Sequence, residues 1–351
     1  MEYKIGLIGC GTVGQGFLEI LNKKSEYLMD KIDFAAKVVG ISDKLKGSLL
    51  IPEGINLAKL LQILNQGKKI SEYLKGKKNA AEGMDPLEMI EKCEADIIAE
   101  LTYTNIKTAE PATSYLKKAF RTGKHVVTSN KGPAALYYKE LKKLAQRNNL
   151  LFKFEGTVMS GTPVFSLFEN GLAGNEIKEI RGILNGTTNF ILTKMEEEKM
   201  DYKKALKLAQ KLGYAEADPK ADVEGYDALA KIVILSNVFL DANIKPADVK
   251  REGISSISKE DVKEALAEGT RYKLIASVKK EKRQVKALVS PQKLPLSDPL
   301  AGIMGANNAL TFDLDLLGKM TIQGPGAGKI ETGYSILSDM LAIHHHLSKQ
   351  I

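Results

Sequence analysis

Residues 4–17 read KIGLIGCGTVGQGF, and most of the architecture can be worked out from them. Lys4–Ile8 is a short apolar run of strand type, and Gly16–Met29 repeats apolar residues at helical spacing. Between them stands the turn GCGTVG, Gly9 to Gly14. A GxGxxG pattern alone says little, but here a strand precedes it and a helix follows. In that setting Gly9 permits the tight turn, Gly11 lets the backbone approach a pyrophosphate, and Gly14 lets the helix pack closely on the strand. The free N–H groups and the positive dipole end of the helix then hold the anion. Gly9, Gly11, Thr12, Val13 and Gly14 are the candidate contacts of a bound dinucleotide.

Outward from this turn, short apolar runs alternate with helical segments, the pattern of βαβ units and a parallel sheet. Strands are expected at Lys37–Ser42, Ala95–Leu101, His125–Thr128 and Leu150–Phe154, and helices at Thr108–Phe120 and Ala134–Arg147. The lysine-rich stretch 44–85 reads as mostly helical. After about residue 155 the pattern changes to a mixture. Strands are expected at Glu176–Leu184, Tyr272–Lys279, Gln284–Val289 and Ala309–Asp315. Helices are expected at Thr187–Glu198, Asp201–Lys211, Val223–Phe239 and Glu331–Leu347. The fold class is α/β: a Rossmann-type doubly wound parallel sheet with a second, α+β domain. The domains are expected at residues 1–150 plus 320–351 and at 151–319.

Composition narrows the chemistry. The chain has 351 residues, 44% hydrophobic and 27% charged, enough for a large core. Its 51 basic and 43 acidic side chains leave a net charge of +8, spread as lysine along the whole length. That spread suits solvated helix faces, with no basic and aromatic stripe for nucleic acid. No run of apolar residues is long enough to span a membrane, and the start lacks the pattern of a secretory signal, so a cytoplasmic protein is expected. The two cysteines, Cys10 and Cys93, form no CxxC pair, and His344–His346 read as part of a helix face.

The second strand ends near Asp43, whose carboxylate suits the ribose hydroxyls of NAD. It lies beyond the usual spacing from the glycine turn, which a first helix extended through Asp30–Ala36 would explain. Lys44 and Lys46 follow and suit the 2′-phosphate of NADP, although Lys46 is equally an ordinary loop charge. NADP or NAD is therefore expected, with NADP somewhat favoured. Thioester chemistry needs a cysteine nucleophile, but Cys10 sits within the phosphate turn and Cys93 before a buried strand. Zinc ligands are also lacking. Metal-free hydride transfer at an alcohol carbon still needs a proton carrier, and with histidine scarce a lysine or carboxylate must supply it.

The best candidates lie in GYAEADPKADVEGYDALAK, Gly213 to Lys231. Glu216, Asp218, Asp222 and Asp227 could face a site, and Asp227 and Lys231 share one helix face. The helix continues as IVILSNVFL, apolar nearly all round and hence buried. A lysine entering such a helix must be paired, and burial can draw its pKa toward the working pH. A structural ion pair is the competing reading. Lys131, in SNKGP after the His125–Thr128 strand, stands where ligands bind doubly wound sheets, at the carboxyl ends of strands. A solvated turn lysine is its alternative.

Together GCGTVGQG, SNKGP, EGTVMSGTPVFS, RGILNGTTNFIL, the Gly213–Lys231 segment and QGPGAGKIETGYSILSD resemble the homoserine dehydrogenase family, in the family's order, from residue 5 to about 342. The resemblance implies a nucleotide-binding domain closed by the C-terminal helix, a catalytic and dimerisation domain, and a homodimer. It implies reversible NAD(P)-dependent interconversion of L-homoserine and L-aspartate 4-semialdehyde, in threonine, methionine and isoleucine biosynthesis. On that basis Lys231 is the proton donor and acceptor, Lys131 lies beside it, and Asp227 orients Lys231 and the substrate hydroxyl. Glu216 and Asp222 face the substrate ammonium, while the loop from Asn185 through Gly186 and Thr187 to Thr188, with Tyr214, holds its carboxylate. Thr102 lines the nicotinamide pocket, and Gly328 contacts the cofactor. A monovalent cation such as Na⁺ is implied at Glu155, Val158, Ser160 and Thr162. With the chain ending at residue 351, neither a regulatory ACT domain nor a fused aspartate kinase is expected, nor feedback inhibition by threonine through one. The rival readings are another amino- or hydroxy-acid dehydrogenase of this architecture and a nucleotide sensor without catalysis.

Overall fold

The computed structural model describes residues 1–74, 83–281 and 284–349. They divide into two units, Met1–Ser166 with Gly328–Ile351, and Leu167–Ala327.

In the first unit the opening run is β1 (Glu2–Ile8), followed by α1 (Thr12–Ile32), β2 (Ala35–Asp43), β3 (Gly47–Leu50) and α2 (Leu57–Asn65). Next come α3 (Pro86–Lys92), β4 (Ile97–Glu100), α4 (Ala112–Arg121), β5 (His125–Thr128), α5 (Lys131–Leu136), α6 (Tyr138–Arg147), β6 (Phe152–Lys153) and the single turn α7 (Phe165–Leu167). The strands stand in the order β3-β2-β1-β4-β5-β6. Chain crossover on either side of β1 is what places helices on both faces, and apolar clusters lie on both. Leu7, Phe17, Leu18 and Ile41 belong to one. Ile8, Val39, Ile90, Phe120 and Leu141 belong to the other. Burial on both faces explains why β4 and β5 read as continuous apolar runs rather than alternating ones.

Three expectations are corrected here. The stretch 44–85 is not mainly helical: β3 pairs antiparallel with β2, α2 is one helix, Ile70–Leu74 is a 3-10 turn, and residues 75–82 lie outside the described residues. The first helix does not run through Ala36. It stops at Ile32, where Asp33 turns left-handed at φ 56°, and β2 starts at Ala35. A 21-residue helix and a nine-residue strand thus account for the distance to Asp43. The helix expected at Ala134–Arg147 is two, broken at Tyr137.

The last helix, expected as an amphipathic segment at Glu331–Leu347, is α13 (Lys329–Ser348), and it is built into this unit. Ile336, Leu337, Met340 and Ile343 join the α1 side of the core. Where α13 crosses α1, Gly16 and Gly333 meet backbone to backbone. A Cβ on Gly333 would lie 2.6 Å from the Gly16 carbonyl carbon and the Phe17 nitrogen. His344 is a satisfied core residue, with Nδ1 3.2 Å from the Tyr3 hydroxyl and Nε2 3.1 Å from the Ile32 carbonyl.

The second unit holds β7 (Ile177–Ile183), α8 (Gly186–Glu197), α9 (Tyr202–Lys211), the short α10 (Lys220–Val223), α11 (Tyr226–Phe239), β8 (Lys250–Arg251) and α12 (Lys259–Ala267). The long strands β9 (Thr270–Glu281) and β10 (Gln284–Pro295) follow, with β11 (Asn307–Leu314) and β12 (Gly318–Pro325). Its sheet runs β12-β11-β7-β9-β10-β8, antiparallel except where β10 meets β8. The helix expected at Val223–Phe239 divides at Gly225, which adopts φ 77°. The strand β12 and helix α12 were not expected from the sequence.

Lys273 of β9 is 1% exposed. Its ammonium donates to Asn189 Oδ1 at 2.9 Å and to the Ile303 carbonyl. Asn189, from α8, donates to the carbonyls of Ile303, Gly305 and Asn307. One lysine and one amide therefore lace the loop before β11 to helix and sheet. Burial, with Arg271 adding to it, pushes the ammonium down to about 8.

Two outcomes follow from these contacts. Overpacking of a close backbone crossing costs about 1–3 kcal/mol, so Gly333→Ala should lower the urea midpoint of the purified protein with an unchanged slope. An unshifted midpoint would contradict the contact. Between pH 8 and 10.5 the unfolded chain binds the Lys273 proton more tightly than the folded one, so stability rises with pH there. Against Lys273→Met, wild-type stability should gain up to roughly 3 kcal/mol across that window. A pH-independent difference between the two would overturn it.

Candidate functional site

The phosphate turn sits between β1 and α1 as the glycine pattern requires. Gly9 adopts φ 94°, and a Cβ there would lie 2.6 Å from the Leu101 carbonyl oxygen, so only glycine fits beside β4. The capping residue of α1 is Gly11, which offers no side-chain cap, and the first turn carries no acidic residue. The amides of Thr12, Val13 and Gly14 are thus first-turn donors with no intrahelical acceptor. This is a cradle for an anionic pyrophosphate, and the residues present fit a dinucleotide.

Asp43 at the end of β2 has a firm structural task. Its Oδ2 accepts the Cys10 N–H at 2.7 Å, and its Oδ1 accepts those of Leu45 and Lys46 at 2.9 Å. The carboxylate therefore ties the phosphate turn to the β2–β3 turn, next to the exposed Lys44 and half-buried Lys46. Cys10 is buried, and burial reinforced by Asp43 pushes its thiol up to about 12. Burial raises the Cys93 thiol too. Neither is a thiolate nucleophile near neutral pH.

At the carboxyl ends of β4 and β5 stand Thr102 and Lys131. Asn130 caps α5, its Oδ1 accepting the Gly132 N–H at 3.1 Å, so Lys131 is the first helical residue and half-buried. Asn130 Nδ2 also donates to the carbonyls of Thr102 and Tyr103. Gly328 opens α13 at φ 140°, with the Glu331 carboxylate lying against it. The adjacent Lys329 carbonyl abuts Gly16 of α1, one turn beyond the phosphate loop.

In the second unit a polar cluster has formed inside otherwise apolar packing. Lys231 is 6% exposed on α11. Its ammonium lies 2.7 Å from Asp227 Oδ2, one helical turn back, and donates to the Leu184 carbonyl at 2.6 Å. Asn185, next in sequence to Leu184, caps α8 by accepting the Thr188 N–H at 2.9 Å. Its Nδ2 donates to Asp222 Oδ1 at 2.7 Å and to Asp227 Oδ2 at 3.1 Å. The order Leu184–Asn185 after β7 thus delivers a carbonyl to the lysine and an amide to its two carboxylates. The Thr187 hydroxyl donates to the Tyr214 carbonyl at 2.5 Å, while the Gly186 and Thr187 amides start α8 as first-turn donors.

The structure therefore brings together Lys231, Asp227, Asp222 and Asn185, with Gly186, Thr187 and Tyr214 adjoining. Glu216 is not among them. It is exposed, and among the described residues its one hydrogen bond runs from Gln210 to its main-chain carbonyl. Asp218 caps the local turn at the Lys220 N–H. At the position expected for a cation, the Glu155 carboxylate caps a chain turn. Its Oε1 accepts the Val164 and Phe165 amides at 2.5 and 2.9 Å, and its Oε2 accepts the Ser166 amide at 2.8 Å. Beside it the Ser160 hydroxyl is paired with Thr332. Sequence reasoning missed two participants. The Leu184 acceptor is a main-chain group and leaves no residue-type signal. Glu100, a buried acid ending β4, reads in sequence only as the close of an apolar run.

Sequence models extend this picture to known proteins. The model described as homoserine dehydrogenase, NAD binding domain, matches residues 9–155, and the one described as homoserine dehydrogenase matches residues 163–341. An NAD(+)-dependent homoserine dehydrogenase of Pseudomonas canavaninivorans is 42% identical, over 99% of this chain and 98% of its own. A homoserine dehydrogenase of Methanocaldococcus jannaschii is 40% identical, over 98% of this chain and 99% of its own. The solved structure of a hyperthermophilic archaeal homoserine dehydrogenase in complex with NADPH superposes with a TM-score of 0.82 at 31% identity, covering 99% of this chain and 98% of that one. With a dinucleotide cradle, a buried lysine–carboxylate cluster and matches along nearly its whole length, the chain belongs to the homoserine dehydrogenase family.

Proposed function

We propose that in this NAD(P)-dependent oxidoreductase Lys231 is the proton carrier for the reversible interconversion of L-homoserine and L-aspartate 4-semialdehyde. The observation that carries the reading is the seating of its ammonium. Two of its three N–H bonds are directed at Asp227 and the Leu184 carbonyl, which leaves one for a substrate oxygen. A bound nicotinamide supplies or removes the hydride at the substrate's C4 carbon. As the aldehyde is reduced, its oxygen gains negative charge, and Lys231 gives it a proton. In the reverse direction the neutral amine takes the hydroxyl proton as C4 loses hydride. Asp227 orients the ammonium, and Asn185 holds that carboxylate and Asp222 in place.

For the rest of the substrate, the Gly186 and Thr187 amides supply donors for its carboxylate, beside Tyr214. Asp222, with Glu216 if its exposed chain swings inward, supplies acceptors for its ammonium. Lys131 is the second cation of the reaction, and Thr102 borders the nicotinamide. Gly328 contacts the cofactor. No step uses a cation at Glu155, Val158, Ser160 and Thr162. Asp43 reads the ribose of NAD, while Lys44 and Lys46 add NADP to the range of cofactors. The first unit acts as the dinucleotide-binding domain, and the second carries catalysis and dimerisation. The exposed Leu316 and Leu317 at the β11–β12 turn support a homodimer through that unit, and the enzyme acts in the cytoplasm. A nucleotide sensor would need only the phosphate turn, and the Lys231 cluster would be a costly addition to it.

Lys231→Ala should lower kcat by about 100-fold or more, the scale for losing a general acid/base, with the dissociation constant for NADPH held within about twofold of wild type by the same criterion of transition-state action. A variant retaining most of its kcat with homoserine would move proton transfer away from Lys231. Replacing Lys44 and Lys46 together by Ala should raise KM for NADP⁺ about tenfold, the cost of about one charged hydrogen bond, and leave KM for NAD⁺ nearly unchanged. An equal rise for both cofactors would remove these lysines from 2′-phosphate recognition.

A further inference from the structure

Glu100 closes β4 at the carboxyl edge of the first sheet and is fully buried. It lies outside the proton-transfer cluster, yet it organises the ground on which Thr102 and Lys131 stand. Its Oε1 accepts both the Thr102 amide, at 2.9 Å, and the Thr102 hydroxyl. Its Oε2 lies 3.0 Å from the Thr128 hydroxyl oxygen at the end of β5. That same hydroxyl is 2.7 Å from the Glu100 main-chain carbonyl and accepts the Asn130 N–H at 2.9 Å. Asn130 then holds the Thr102 and Tyr103 carbonyls and caps the helix that begins with Lys131.

Counting protons decides the state of this network. The Thr128 hydroxyl has one hydrogen, yet two oxygens of Glu100 lie within hydrogen-bond distance of it. If Glu100 is ionised, the two oxygens must share that single hydrogen, which leaves one contact weak. If Glu100 is the neutral acid, Oε2–H donates to Thr128, the Thr128 hydroxyl donates to the Glu100 carbonyl, and every contact is filled. Burial acts in the same direction, raising the carboxyl above its usual range against the pull of Thr102, Thr128 and Asn130. From α4, Tyr115 faces the acid, its phenol raised by burial first. The paired residue on β1 is the uncharged Ile8.

We propose that Glu100 is carried as a neutral carboxylic acid and, in that form, is the positioning residue that locks the ends of β4 and β5 together, fixing Thr102 and Lys131 for the nicotinamide. This rests on the reading above for the roles of Thr102 and Lys131, while the protonation state stands on the network alone. A carboxylate in this place would set negative charge beside the cofactor and loosen the Thr128 link. The neutral acid supplies one donor and one acceptor, the same pair that an amide offers.

The test compares Glu100→Gln with Glu100→Ala in the full chain. Titration of NADPH and NADH by fluorescence gives the dissociation constants, steady-state kinetics with homoserine gives kcat, and an infrared difference spectrum of wild type minus Glu100→Gln reports the carboxyl. We expect a protonated-carboxyl band at neutral pH. Glu100→Gln should keep cofactor affinity and kcat within about threefold of wild type, and Glu100→Ala should weaken cofactor binding on the order of tenfold, as when a buried hydrogen-bond partner is lost. A carboxylate band instead, or Glu100→Gln as damaged as Glu100→Ala at an unchanged melting temperature, would overturn the proposal. Should Glu100→Ala fail to fold, the glutamine variant and the infrared band still decide. Absence of turnover with homoserine would sink the functional reading but leave band and cofactor affinity as the measure of this one.

Discussion

An ammonium inside an apolar helix is tolerable only when its hydrogens are met. In this protein Lys231 meets that requirement with one carboxylate and one peptide carbonyl, Asp227 and Leu184. Much of the second unit is arranged around that seat. The strand β7 ends where it does so that Leu184 can face α11, and Asn185 turns the chain into α8 while clamping both acids. Removing one partner from a buried ion pair commonly costs more than the pair itself contributes. The cluster is therefore weak as a source of stability, in keeping with the proton-transfer role proposed for it.

The first unit solves a different problem, bringing backbone close to a polyanion without covering it with side chains. Gly9 lets the turn lie against β4, and Asp43 pins the Cys10 amide from the neighbouring strand. Gly9 directly follows β1 and Asp43 ends β2, so both are anchored to the sheet. The binding surface is thus prepared before any ligand arrives, which limits the entropy lost on binding. Beneath it, the polar network of Glu100, Thr128 and Asn130 extends the same rigidity to the neighbouring strand ends.

How far all this was legible in the sequence depended on whether the deciding force was local. The strand–turn–helix at residues 4–17 and the i, i+4 pair Asp227–Lys231 are short-range patterns, and both stand as read. The break at Gly225 and the division at Tyr137 also arise locally, but the surrounding apolar periodicity concealed them. Long-range partners were harder. Glu155 was read as a cation ligand, and its hydrogen bonds to the three amides from Val164 to Ser166 carried no signal in the sequence. β3 was missed because four residues of edge strand carry almost no periodic signal, and its pairing comes from β2. Lys273 was not singled out among the many lysines, because its partners lie far off in sequence, on α8 and in the loop before β11.

The crossing of Gly16 with Gly333 has a consequence for how the molecule is made. The helix α1 emerges from the ribosome early, but the helix that covers its flank is among the last segments synthesised. Until then Phe17, Leu18 and Leu21 lack the side chains of Ile336, Met340 and Ile343 that bury them. The second unit, encoded between these two segments, has only local sequence to wait for and is free to form first. A nascent chain can therefore complete its second unit before the first, which the NAD-binding model matches, is closed, so a closed first unit marks a polypeptide whose synthesis has passed α13.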